Sequence, residues 1–139
     1  MREQLNKALI DDLDRKFANR HNYNREIVLR KEELKLREED DNIGGGSGNI
    51  VSNPVENEVV KYLSDPYITN RQMWKRAIVE TLNEQSLEIS NLMELKYWGE
   101  DSWMNWDDFG KLHGYSKPTI YRIRQKVLLS FARKIGEIA

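Results

Sequence analysis

Between Ser116 and Lys134 the chain carries six basic side chains, Lys117, Arg122, Arg124, Lys126, Arg133 and Lys134, and no acid. A one-signed run of this kind suits a polyanion: Lys and Arg neutralise phosphates, and Arg also bonds guanine through two parallel hydrogen bonds. The residues leading into it, Asp107 to Tyr115, have the types needed for two helices joined by a tight turn. Gly110 is the small residue expected where the two helices cross, and Gly114 tolerates the positive φ of the turn. Ser116 can cap the second helix, and Pro118 sits in its first turn, where a missing N–H costs nothing. Ile120 and Ile123 are expected to face back onto Phe109 and Leu112. With Ile120, Ile123, Val127 and Phe131 inward, Lys117, Pro118, Tyr121, Arg122 and Gln125 fall on the outward face, able to reach a groove. There Arg bonds guanine, Gln bonds adenine, and Pro or Tyr touches a thymine methyl, whereas Ser116, Thr119, Arg124 and Lys126 are better placed for phosphate. Cations also collect at helix C-termini because of the dipole. Here the run extends into the first half of the helix, where the dipole disfavours it, and this favours DNA.

Other chemistry is scarce. Without cysteine there is no disulfide, thiol nucleophile or Cys-type zinc site, and the only imidazoles are His21 and His113. His113 is expected to pack beside the turn. Glu100-Asp101 and Asp107-Asp108 could be drawn as a nuclease metal cluster, but acids at a helix start ordinarily serve as caps and dipole partners. Trp98 and Trp106 are expected to cover the junction ahead of the two-helix segment, and Trp103, in a polar turn, is the candidate for exposure. No catalytic residue, metal ligand or cofactor site is expected, and the chain is read as a binding protein, not an enzyme.

These residues need elements to position them. The chain has 139 residues, enough for one core, with 22 Lys+Arg against 23 Asp+Glu and a net charge of −1. No apolar stretch could cross a bilayer and no signal-peptide core follows Met1, so no membrane contact and a cytoplasmic location are expected. Residues 1–41 read as a charged helical arm, with ten basic and eleven acidic side chains from Arg2 to Asp41 and no Gly or Pro among them. Leu5, Leu9, Leu13 and Phe17 recur every four residues, and Tyr23, Ile27 and Leu34 extend the stripe. Such a narrow stripe is either a coiled-coil seam, making the arm an oligomerisation or partner contact, or a face folded back on the same chain. The poor helix formers at 19–24 would break the arm into a helical hairpin.

A Gly-rich linker is expected over 42–52, with four glycines between Gly44 and Gly48. It lacks the preceding strand and the following Lys-Ser/Thr of a phosphate loop. A helical domain is expected over 53–139, with the two-helix segment at about 105–135. Its first helix should start at Ser52-Asn53-Pro54, face inward with Val55, Val59, Val60 and Leu63, and end at Asp65-Pro66. A second should start near Thr69 on Met73, Ala77, Ile78 and Leu82. A third should run from about Glu84 to Trp98 on Leu87, Leu92, Leu95 and Met93, stopped by Gly99. Nothing alternates as a strand would, so the fold class is all-α.

Three runs carry a family resemblance: Leu92 to Trp98, Trp106 to Gly110, and Tyr115 to Lys126. Together they look like the region 4-type helix-turn-helix of sigma factors, and more closely they are similar to phage late transcriptional activators of the RinA and ArpU type. Asp41 to Gly46 and Pro54-Val55-Glu56 also resemble that family's linker, so the likeness covers most of the chain. It implies a DNA-binding activator of a phage structural or lysis gene block, acting on late genes, without enzymatic activity or cofactor. One helix-turn-helix offers a small footprint on double-stranded DNA, so a homodimer on two half-sites is expected, and an activator must also contact host RNA polymerase. His113 stands where such motifs often carry leucine and Gly110 where alanine is commoner, which predicts looser packing at the crossing. Two other functions share these parts: a small terminase subunit for DNA packaging, and a polymerase-binding adaptor. The order of parts disfavours the first, since small terminase subunits commonly put the DNA-binding unit ahead of the oligomerising helices.

Overall fold

A computed structural model of the chain describes residues 5–42 and 54–139. Among these it is all-helical: α1 (Lys7–Ala18), a 3-10 turn (Arg20–Asn22), α2 (Tyr23–Asn42), α3 (Pro54–Ser64), α4 (Pro66–Glu84), α5 (Leu87–Trp98), α6 (Trp106–Leu112) and α7 (Lys117–Lys134). No described helix is long and apolar enough to cross a membrane. The expected Gly-rich linker at 42–52 and the Ser52-Asn53 cap lie almost wholly outside the described residues.

The chain divides into two compact units, Met1–Arg20 with Trp74–Ala139, and His21–Met73. This cuts across the expected arm at 1–41. The break among the poor helix formers at 19–24 does occur, but it separates α1 into one unit and α2 into the other.

In the first unit α1 packs against α5 and α7, and α6 against α7. The stripe that could have served as a seam between chains is folded back on its own: Leu13 and Phe17 are fully buried, and Leu5 nearly so. The Phe17 ring lies 4.6 Å from Tyr97, 5.4 Å from Trp98 and 5.4 Å from Phe131. Ala77, Ile78, Leu82, Leu92, Met93, Phe109, Ile120, Val127, Leu128 and Phe131 complete the core. Two leucines expected there are exposed, Leu87 and Leu95. The reason for Leu87 is the start of α5: Ser86 is the N-cap, its hydroxyl accepting from Ile89 N–H at 3.2 Å, so Leu87 lies at the rim of the helix end.

In the second unit Ile27, Leu34 and Ile68 form a small core with Tyr62 packed against it. Helix α4 begins at Pro66, three residues before the expected start. Asp65 caps it, one carboxylate oxygen accepting from Ile68 N–H at 3.3 Å, and proline suits the first turn. The same carboxylate takes both arms of Arg30, at 3.0 and 3.1 Å, and this guanidinium holds it below the usual carboxylate range. Of the inner face expected of α3, Val55 lies outside the described side chains and the other three residues do not turn inward. Val59, Val60 and Leu63 are exposed, and Tyr62 makes the contact instead, with Lys31 5.2 Å from its ring and Lys61 donating to the Leu34 carbonyl at 3.2 Å.

Candidate nucleic-acid interface

The segment from Asn105 to Lys134 is built from local signals that agree with one another. Asn105 caps α6, its side chain accepting from Asp108 N–H at 2.8 Å. After α6 the chain turns through Gly114 at φ +82°, and Tyr115 N–H returns to the Gly110 carbonyl at 2.8 Å. Gly110 itself is buried. A Cβ there would come within 2.9 Å of Ile120 Cγ2 and 3.0 Å of its Cβ, so the crossing of α6 and α7 is tight, not loose as the glycine predicted. Glycine at this point removes the space that alanine would fill. Phe109 and Ile120 are fully buried in that crossing, whereas Leu112, expected to join them, is exposed on the last turn of α6.

The turn is anchored from outside as well. The Tyr115 hydroxyl donates to Glu88 at the start of α5, and that carboxylate pushes the Tyr115 pKa up. His113 packs its ring 4.5 Å from Phe109 and meets Asp101 at 3.1 Å through Nε2, which ties the 99–105 loop to the end of α6. It is a packing residue in this unit. Trp98 donates from Nε1 to the Ala18 carbonyl at 3.1 Å, Trp106 is buried beside Tyr97 and Phe109, and Trp103 is 82% exposed.

The structure separates the six basic residues. Lys117, Arg122 and Lys126 are exposed along α7, with Pro118 and Tyr121 beside them and Gln125 half-buried. Lys117 Nζ lies 3.5 Å from Asp107, a loose exposed pair that a phosphate can displace. Arg133 is exposed nearer the end of the helix. Lys134 is bound to Glu84 at 2.7 Å and to Ser130 at 2.8 Å.

Arg124, expected at phosphate, points the other way. Its guanidinium pairs with Asp14 on α1 and lies 5.4 Å from the Trp106 ring. It stands one helical turn from Ile120 and from Leu128, both fully buried, and this sets it on the rim of the core. Ser116 occupies the N-cap position with extended backbone, but its hydroxyl donates to Thr119 Oγ1 at 2.9 Å rather than taking a backbone N–H. Thr119 is half-buried. Of the nine residues expected to meet DNA, Lys117, Pro118, Tyr121, Arg122 and Lys126 are exposed on α7 and Gln125 is half-buried, Ser116 and Thr119 lie at its start, and Arg124 is held by Asp14.

Asp14 and Lys96 were not singled out by sequence reasoning. Asp14 also accepts from the Tyr97 hydroxyl at 2.6 Å. Burial, reinforced by this carboxylate, pushes the Tyr97 pKa well above its usual value. Lys96 is 9% exposed with its ammonium 5.0 Å from the Trp106 ring, and burial lowers its pKa. The only trace of Asp14 in the sequence is an acid immediately beside an apolar stripe, next to Leu13. The acids considered as a metal cluster have separate duties: Asp101 with His113, Asp107 near Lys117, and Asp108 with Asn105 at 3.2 Å. Among the described residues no three His, Asp or Glu side chains group as a cation site.

No curated protein and no solved structure matches the chain. Residues 5–132 match the family described as a protein of unknown function, DUF722, and the chain belongs to that family.

Proposed function

We propose that the chain is a non-catalytic DNA-binding transcriptional regulator in which α6 and α7 act as a helix-turn-helix and α7 reads the major groove. The observation that carries this reading is the exposed surface of α7. Lys117 stands exposed on its first turn and Arg122 and Lys126 beyond it, near Tyr121 and Gln125, while Asp14 holds Arg124 and the core holds Ile120. A groove-reading helix needs this division, because its base-contacting side chains must be free and its axis fixed. Arg122 is assigned to a base edge, and Lys117 and Lys126 to phosphates.

Binding is tested by titrating duplexes from a selected pool at two salt concentrations. Arg122→Ala should cost about 1–3 kcal/mol on the selected site and relax its sequence preference. Lys126→Ala should weaken all sequences alike and lower the salt slope by about one. Equal affinity of Arg122→Ala and the parent at both salts would overturn the recognition-helix assignment.

The finer reading, activation of phage late genes through host RNA polymerase, rests on the resemblance to the RinA and ArpU type. It is tested by transcription in vitro from the selected site with a bacterial polymerase. More transcript supports an activator, and less makes the protein a repressor. A ring of eight or more subunits in solution would favour the packaging role, and polymerase binding without measurable DNA affinity would favour the adaptor.

A further inference from the structure

A cavity of about 230 Å³ opens within the first unit. Its walls include Asp14 and Arg15 from α1, Lys96 and Tyr97 from α5, Ser102 from the loop that follows and Trp106 from the start of α6. Pockets for drug-sized ligands hold roughly 300–1,000 Å³, so this one admits only a small group.

Two of these residues are buried donors without an acceptor. Lys96 is 9% exposed and Trp106 8%. Among the described residues the Lys96 ammonium makes no hydrogen bond and no ion pair. Its neighbour is the Trp106 ring at 5.0 Å, whose face attracts a cation but offers no oxygen to its three N–H groups. The Trp106 indole N–H likewise meets no acceptor among the described residues. The polar atoms sealed in protein without a partner are others, Thr81 Oγ1, Asp107 Oδ1 and Arg124 Nε, so both donors stay reachable. A buried ammonium without an acceptor is costly, and burial lowers the pKa of this one despite the field of Asp14.

The nearby carboxylates are engaged elsewhere. Asp14 is the one acid among the described residues lining the cavity, and Arg124 and the Tyr97 hydroxyl hold it. Arg15, 77% exposed on the rim, lies 3.8 Å from Asp12, which Lys16 holds at 2.7 Å. Lys96 is left with no carboxylate of its own, and Arg15 with a shared one.

We propose that this cavity binds the phosphate group of a small molecule, either free phosphate or a compact monoester, with Lys96 as the central charge. The donors come from separate segments: Arg15 from α1, Lys96 from α5, and the Ser102 hydroxyl and Trp106 indole from the approach to α6. A tetrahedral anion with acceptors on every side suits such a set, whereas a planar carboxylate is best met by a single guanidinium fork. The site is independent of the DNA contact assigned to α7.

The full-length chain is titrated by calorimetry, without DNA, with inorganic phosphate and with glycerol phosphate at an ionic strength matched by sodium chloride. Saturable binding is expected, with a thermal midpoint that rises with phosphate and not with chloride. Tighter binding of the ester assigns a monoester, and equal or weaker binding assigns free phosphate. Lys96→Met keeps the side-chain length and removes the charge. It should weaken binding by about 10-fold or more and, without ligand, leave the protein at least as stable as the parent. Arg15→Gln, on the surface, should weaken binding by about 3-fold, and it decides the matter if Lys96→Met does not fold. No response beyond that to chloride overturns the proposal, as does equal affinity for acetate. Affinity unchanged in Lys96→Met, or unchanged in Arg15→Gln when Lys96→Met does not fold, overturns it too. A response lost in Lys126→Ala but kept in Lys96→Met would put the phosphate on α7 and overturn the assignment to this cavity.

Discussion

Arg124 and Asp14 lie 110 residues apart in the chain and meet at the back of α7. The pair is mostly buried, with side chains 15% and 22% exposed, and it is extended by Tyr97 and by the Trp106 ring. Removing one member of such a pair leaves a charge without its counterion, which costs more than removing both. Asp14→Ala should lower stability by about 3–5 kcal/mol in chemical denaturation, and adding Arg124→Met to it should recover part of that loss. Full additivity of the two changes would mean that the pair contributes no coupling. Tyr97 makes a pH prediction at the same site. Its folded pKa is raised above the unfolded value of about 10, so its stabilising contribution is intact below that pH and is lost as pH rises towards the folded pKa. Stability measured from pH 8 to 11 should therefore fall more steeply for the parent than for Tyr97→Phe.

At the scale of elements, the crossing of α6 and α7 decides where the candidate reading face points. Gly110 allows α7 to approach until Ile120 touches the backbone of α6. Gly110→Ala would push a methyl into a fully buried isoleucine, and overpacking of this kind costs about 1–3 kcal/mol. Ile120→Ala in the same chain removes Cγ1 and Cγ2, two of the three atoms nearest the new methyl. Thermal unfolding should show a clear loss for Gly110→Ala, and the double change should lose less than the sum of the two single ones. If Gly110→Ala proves neutral, the crossing has slack that the atomic contacts do not show.

For the whole molecule, the division into units changes what a truncation can mean. Residues 1–43 look detachable as an arm ahead of a Gly-rich linker, yet α1 supplies Leu13, Phe17 and Asp14 to the unit that contains α7. Phe17 alone stands against Tyr97, Trp98 and Phe131, and truncating a buried Phe typically costs about 3–5 kcal/mol. Net stabilities are only about 5–15 kcal/mol. A fragment of residues 44–139 should accordingly lose cooperative unfolding and near-ultraviolet dichroism, along with any DNA binding. Retention of a sharp transition by that fragment would show that α1 is dispensable.

The sequence by itself determined the features that depend on near neighbours. Helical periodicity, the breaks at 19–24 and at Gly99, the turn at Gly114, the small residue at Gly110 and the exposure of Lys117, Tyr121 and Arg122 all follow from spacings of a few residues, because backbone geometry and helix faces are local properties. Tertiary structure alone decided which apolar faces are covered. Leu13 and Phe17 are buried by α5 and α7, Val59, Val60 and Leu63 are left outside, and Tyr62 replaces them at the core. Arg124 and Lys126 are two residues apart and equally basic, yet one is held by Asp14 and the other is exposed. The difference lies in a partner more than a hundred positions away, and no pattern within α7 encodes where that partner comes to rest.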